Sequence, residues 1–380
     1  MSMQLTEEQR DIQRMVRNYA QEKIAPLAKE IDETGRFPAE AIQGLADMGI
    51  MGLNIPEEYG GAGMDEICKV VAIEEVAKCC ASTAEILAVH LLVNDIIVKR
   101  GTEEQKREFL PAAAEGCLGA FALTEAGAGT DAGGLTTKAA YADGHYVLNG
   151  TKCFISNMGP HEGHHVVVIA VTDKEKGTRG GMTAFLMKRD TPGFSLGKTE
   201  DKMGIRGAAV SELIFTDCAV PESCVLGRVG DGFKVAMSGL DGGRIGIAAQ
   251  SLGVAEAAMA GAVKYAKERV QFGKPIAAKQ GLQWYLADMA TRLEAARLLV
   301  YNAASERMAG GDISQAAAMA KYYASEAACY ICDLSLQIHG GYGYMKDYDI
   351  ERLYRDARIL RIYEGTSEVQ KMVIARHVLQ

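Results

Sequence analysis

The feature that most limits how this 380-residue chain can fold is a double change of hydrophobic period. Up to about residue 115 the apolar residues recur at helical intervals. From Leu118 to about Val225 they alternate, and from about Gly230 the helical interval returns. Helices, then strands, then helices excludes a doubly wound parallel sheet, in which the two would alternate throughout. The expected class is α+β and mostly α. It has an N-terminal helical domain over residues 1–116, a middle antiparallel β-barrel or sandwich over 117–228, and a C-terminal helical bundle over 229–380.

Local signals support each block. Thr6 to Gln9 has capping-box spacing, followed by Ile12, Met15, Val16 and Tyr19 on one helical face. Pro26 and Pro38 interrupt this region. ICKVVAIEEVAKCCAS and Ile86 to Lys99 read as helices, the second apolar enough to be buried, and Thr102 opens another capping box. In the middle block, Asp143-Gly144 and Asn149-Gly150 read as hairpin turns, and HHVVVIAV, MTAFLMKR and ELIFTDCAV as strands. The Ala-rich segments after Gly230 suit close helix packing, and SEVQ (Ser367 to Gln370) reads as the capping box of the last helix.

Composition narrows the function classes. With 41 basic and 49 acidic side chains the net charge is −8, which argues against a nucleic-acid partner. The first residues read as a polar helix, not as a secretory signal. No run of about 20 apolar residues stands out as a membrane span. A cytoplasmic protein with no membrane partner is expected. The nine cysteines are odd in number and scattered, which does not suggest a disulfide framework.

Four motifs bear on chemistry. HEGHH, His161 to His165, matches H-E-x-x-H, but zinc needs that spacing on a helix. Here it follows Gly159-Pro160 and runs into a strand, which would spread His161 and His165 about 13 Å apart. A metal site on His161, Glu162 and His165 is therefore set aside in favour of a solvated loop. Cys329 and Cys332 form C-x-x-C, yet lie mid-helix and read as core. The loop ALTEAGAGTDAGG, Ala122 to Gly134, lacks the dinucleotide fingerprint. It is either a plain turn or a backbone cradle for phosphate. Glu364, in RIYEGTSEVQ, is either a solvated loop acid or a general base pressed against an apolar pocket beside a helix N-terminus. In the second case burial would raise its pKa towards neutrality.

Taken together, ALTEAGAGTDAGG, LDGGRIGIAAQ, VQFGKPI, QIHGGYGY and IYEGTSEVQ resemble, in order and over essentially the whole chain, the acyl-CoA dehydrogenase family. The short-chain, butyryl-CoA type is the branch most resembled. The resemblance implies a helical domain, a middle β-barrel and a C-terminal four-helix bundle, assembled as a homotetramer with one FAD per subunit. It implies that Phe121, Leu123, Thr124, Gly129 and Thr130 serve the cofactor. Phe154 and Ser156, in place of the family's tryptophan and threonine, would flank the flavin ring. Arg269, Phe272, Gln280, Gln337 and Gly341 of a neighbouring subunit would hold the ADP half, completed by Thr366 and Glu368. Thr130, Asp241, Arg244 and Gly365 would contact the CoA substrate.

By the same resemblance Glu364 is the catalytic base. Another branch of the family carries its glutamate just before the arginine of LDGGR, where this chain has Gly243. The implied reaction is α,β-dehydrogenation of a short, branched or alicyclic acyl-CoA to the 2-enoyl-CoA. Hydride passes to flavin N5 and electrons then pass to an electron-transfer flavoprotein; enoyl-CoA reduction is the reverse alternative. The pocket helix is expected in EILAVHLLVNDIIV. His90 there reads as a core histidine or a pocket group, and Leu91 and Leu92 as bulky.

Overall fold

The structure, a computed structural model, describes residues 4–380. The first helical block contains α1 (Glu7–Tyr19), α2 (Ala28–Thr34), α3 (Ala39–Asp47), α4 (Glu66–Ala77), α5 (Ala81–Arg100) and α6 (Glu103–Ala114). Both expected capping boxes form, Thr6 with Gln9 and Thr102 with Gln105. The run expected as one helix through Cys79 and Cys80 is divided. Cys80 is extended (φ −151°, ψ 110°), and a new helix begins at Ala81. Two helices, α5 and the 37-residue α7 (Gly232–Glu268), are long and apolar enough to cross a membrane, contrary to the reading that none is. Their apolar windows are 89% and 72% buried inside the protein, so here they are core helices.

The middle block is a curled seven-stranded sheet: β1 (Gly119–Ala122), β2 (Lys138–Ala142), β3 (His145–Ser156), β4 (His165–Val171), β5 (Met182–Lys188), β6 (Phe194–Thr199) and β7 (Val210–Pro221). Most pairs are antiparallel. β1 runs parallel to β4, from Gly119 opposite His165 to Ala122 opposite Val168. The long excursion through β2 and β3 allows this parallel return. Asp143 and Gly144 make the expected hairpin turn, both with positive φ (50° and 80°). Asn149-Gly150 does not turn the chain. It lies within β3, where the register with β7 shifts, and a Cβ on Gly150 would come within 2.5 Å of the Thr137 hydroxyl. This glycine serves a close backbone approach at a bulge.

After α7 come a short hairpin of β8 (Val270–Gln271) and β9 (Lys274–Pro275), then α8 (Gln280–Met308), α9 (Ser314–His339), α10 (Ile350–Ala357) and α11 (Ser367–Val378). α7, α8, α9 and α11 pack as a bundle, and α4 and α5 pack on α7. One apolar cluster accordingly runs through both helical blocks. The cap of α11 is Thr366, whose side chain accepts from Val369 N, one residue earlier than expected. Ser367 instead donates its hydroxyl to Glu326 at 2.6 Å.

Candidate active site

A cavity of about 740 Å³ opens where the sheet, α5, α7 and the chain before α11 converge. Glu364 stands in its wall with φ +53°, a conformation unusual for a residue with a side chain. Several bonds hold it there. Gly365 follows with φ +91°. The buried Lys321 on α9 donates to Gly365 O at 2.7 Å. Gln370 Nε2 donates to the carbonyls of Glu364 (3.2 Å) and Gly365 (2.9 Å). A strained turn fastened from two helices thus fixes where the carboxylate points.

The residue as a whole is half-buried, but its Oε2 is closed to solvent and has no hydrogen-bond partner. Burial pushes the Glu364 carboxyl up to about 7, against the pull of Arg244 and Lys321, with Glu85 adding to the rise. Arg244 on α7 is 5% exposed, pairs with Asp241 at 2.6 Å, and leaves its Nε buried and unpartnered. Gly243, just before it, is where Glu364 needs room: a Cβ there would lie 2.8 Å from Glu364 Oε2 and 2.4 Å from Leu92 Cδ1.

The opposite wall comes from the sheet. Phe121, Leu123 and Thr124 at and after β1, Gly129 and Thr130 from the glycine-rich loop, and Phe154 and Ser156 from β3 all line the cavity, as do Gly365 and Thr366. Phe154 sits where the register between β3 and β7 shifts, with φ +59°, and the residue is 64% exposed. The glycine-rich loop is anchored by Glu125. That side chain accepts from Thr136 N (2.7 Å), Thr137 N (3.0 Å) and the fully buried Lys152 Nζ (2.7 Å). Lys152 also donates to Leu123 O at 3.0 Å. Burial alone would raise the Glu125 carboxyl, but Lys152 and Thr136 hold it near 2. Above this anchor, Cβ atoms on Gly127 and Gly129 would meet nothing within 4 Å, so the loop backbone is open to a ligand.

Seven sequence candidates do not line this cavity. Arg269 and Gly341 border a shallow pocket of about 430 Å³ with Tyr265 and Tyr342. Gln280 and Gln337 are exposed, and Phe272 is 91% exposed. Glu368 is exposed, and Asp241 reaches the cavity through its pair with Arg244.

His161 is exposed, whereas His165 is 0% exposed in the core at the start of β4, against Phe109; it is not the solvated residue expected. The H-E-x-x-H residues therefore do not converge. Cys332 is buried within α9, and Cys329 donates to Ala357 O. His90 is a core residue: its Nε2 lies 3.1 Å from Met51 O and Ala113 O, and its Nδ1 accepts from Gly119 N. The cavity face of α5 is instead Glu85 and Val89. Sequence reading missed Glu85 and Lys152. Glu85 opens the EILAVHLLVNDIIV stretch one helical turn before Val89, and its place on the same face as Val89 was the signal that could have found it.

Three family models cover the chain: acyl-CoA dehydrogenase N-terminal domain over residues 6–117, middle domain over 120–218 and C-terminal domain over 230–379. Acryloyl-CoA reductase (NADH) of Anaerotignum propionicum is 51% identical, covering 100% of this chain and 96% of that relative. The solved butyryl-CoA dehydrogenase of Megasphaera elsdenii matches with TM-score 0.97 and 46% identity, each chain covered at 100%. A chain from a structure described as the electron transferring flavoprotein of Acidaminococcus fermentans matches with the same score, identity and coverage.

Proposed function

The chain belongs to the acyl-CoA dehydrogenase family, an FAD-dependent family of oxidoreductases, and on that premise we propose that it interconverts a short acyl-CoA and its 2-enoyl-CoA with Glu364 as the base. The observation that carries this reading is the Glu364 carboxylate, facing the cavity with its Oε2 closed to solvent and unpartnered. A base raised towards neutrality is a stronger proton acceptor at physiological pH than an ordinary carboxylate.

The cavity fits the cofactor. Phe121 and Phe154 offer apolar faces to a flat ring, Thr124 and Ser156 offer hydroxyls to its edge, and Gly127 and Gly129 leave open the space a Cβ would fill. When bound, FAD supplies the acceptor for the hydride lost from the β-carbon. Glu364 removes the α-proton, and in the reverse direction returns it. Its backbone N–H serves as a donor to the thioester oxygen as negative charge gathers there. Arg244, Asp241 and Thr130 position the CoA thioester, and the apolar walls keep water from the α-carbon.

Arg269, Phe272, Gln280, Gln337 and Gly341 act on the cofactor of a neighbouring copy in a homotetramer, with Thr366 and Glu368 completing the site from the resident chain. The large exposed rings of Phe272 (91%), Tyr344 (80%) and Trp284 (63%) support an interface on this side. The electron partner is an electron-transfer flavoprotein, a reading supported by the match to the Acidaminococcus fermentans structure. The reductive direction is favoured by one observation, the 51% identity to a protein named for acryloyl-CoA reduction.

The test is anaerobic titration of the flavin-bound protein with a panel of acyl-CoAs, followed by absorbance. Loss of the oxidised flavin bands with a short acyl-CoA supports dehydrogenation. Reoxidation of the reduced protein by a 2-enoyl-CoA supports reduction. A flavin spectrum that no thioester changes would remove the proposal.

A further inference from the structure

Glu85 is the buried acid in the cavity for which the proposed reaction has no use. It is 0% exposed on α5, and neither carboxyl oxygen makes a hydrogen bond of ordinary geometry. Ser156 and Lys202 lie close enough to favour its charged form, yet neither satisfies it, and burial still pushes it up to about 7. Val89 lies on the same face of α5, and Tyr363 and Glu364 are close enough to feel the Glu85 charge, in a cavity also lined by Leu240, Ile247 and Ile359. A carboxyl left without partners in such a place destabilises the fold, and a leucine or methionine would be less costly. A purely structural role would show itself as a hydrogen bond or ion pair to the scaffold, and neither oxygen of Glu85 has a partner among the described residues. Its missing partner is therefore something that enters the cavity.

We propose that Glu85 reads the acyl tail, hydrogen-bonding a donor group carried by the chain, so that the preferred thioesters are short acyl-CoAs bearing a hydroxyl or amino group. This rests on the reading of the site as an acyl-CoA site. A tail ending in a carboxylate is disfavoured, because two acids would then face each other in an apolar space.

The experiment compares matched pairs on the flavin-bound protein. Dissociation constants are measured for the unreactive thioethers S-butyl-CoA and S-(4-hydroxybutyl)-CoA, and kcat/KM for butyryl-CoA and 4-hydroxybutyryl-CoA. The parent protein should favour the hydroxylated partner by about tenfold or more, the size expected for one hydrogen bond to a buried acid. Glu85→Met should abolish or reverse that preference while retaining flavin. A parent that prefers the plain chain overturns the inference whatever the variant does. So does a Glu85→Met protein that keeps the preference, or one that loses flavin with the preference unchanged, which would assign Glu85 to the cofactor. If the thioether preference holds but no thioester reduces the flavin, the reaction is wrong and the tail-reading role stands.

Discussion

Gly243 and Glu364 compete for one point in the cavity: a Cβ on Gly243 would lie 2.8 Å from the Oε2 of Glu364. Within a helix, Gly→Ala normally stabilises by about 1 kcal/mol. Here the added methyl would have to displace Leu92 and the carboxylate. Gly243→Ala is expected to lower kcat/KM by about 10²-fold, the effect of misplacing a catalytic group by about 1 Å, with flavin retained. Gly246→Ala is the control, since its Cβ would meet Ile73 Cδ1 at an ordinary 3.5 Å. It should be neutral or slightly stabilising. Steady-state kinetics and thermal melts of the two variants decide.

Two carboxyls in one cavity make stability depend on pH. Glu364 and Glu85 are each raised to about 7, facing Arg244 from α7, Lys321 from α9 and Lys202 from the segment after β6. Between the ordinary carboxylate range and pH 7 the folded chain holds protons that the unfolded chain has released. Their contribution is therefore present at low pH and lost as pH rises through about 7. Glu85→Gln cannot ionise. Its stability relative to the parent should grow between pH 5 and pH 8 by about 1–3 kcal/mol. Urea midpoints at fixed flavin and protein concentration measure it, and a pH-independent difference would contradict it.

The buried Lys152–Glu125 pair at 2.7 Å holds the glycine-rich loop to β3. Lys152→Met leaves the Glu125 carboxylate buried without its countercharge, which should cost about 3–5 kcal/mol. It should also weaken flavin retention, because Leu123 O loses the same donor. The double variant with Glu125→Gln should recover part of the stability. Equilibrium dialysis of the flavin and unfolding midpoints of the three variants check this.

Much of the fold was legible because periodicity reports which face of an element is buried. The switches near residues 115 and 230 lie at the ends of α6 and the start of α7. What misled was local chemistry that tertiary contact overrides. Asn149-Gly150 has a turn composition, but the close approach of Thr137 uses the glycine at a bulge inside a strand. β6 was unread because its sequence, FSLGKT, is short and weakly apolar. At the site, the IYEGTSEV stretch marked Glu364, but nothing in its sequence shows that the cavity closes over the carboxylate. Glu85 escaped notice because an acid on an apolar helix reads as a surface residue until the neighbouring helices are placed around it.

The central claim is that the Glu364 carboxylate moves the α-proton. Glu364→Gln keeps the shape of the side chain and removes its ability to accept a proton. Rapid mixing of this variant, with flavin bound, against the acyl-CoA that best bleaches the parent tests the claim most directly. The account predicts unchanged flavin content, thioester binding within a fewfold of the parent, and a flavin reduction rate lower by about 10²–10⁴-fold, the usual contribution of a general base. Reduction at a rate close to that of the parent would contradict it.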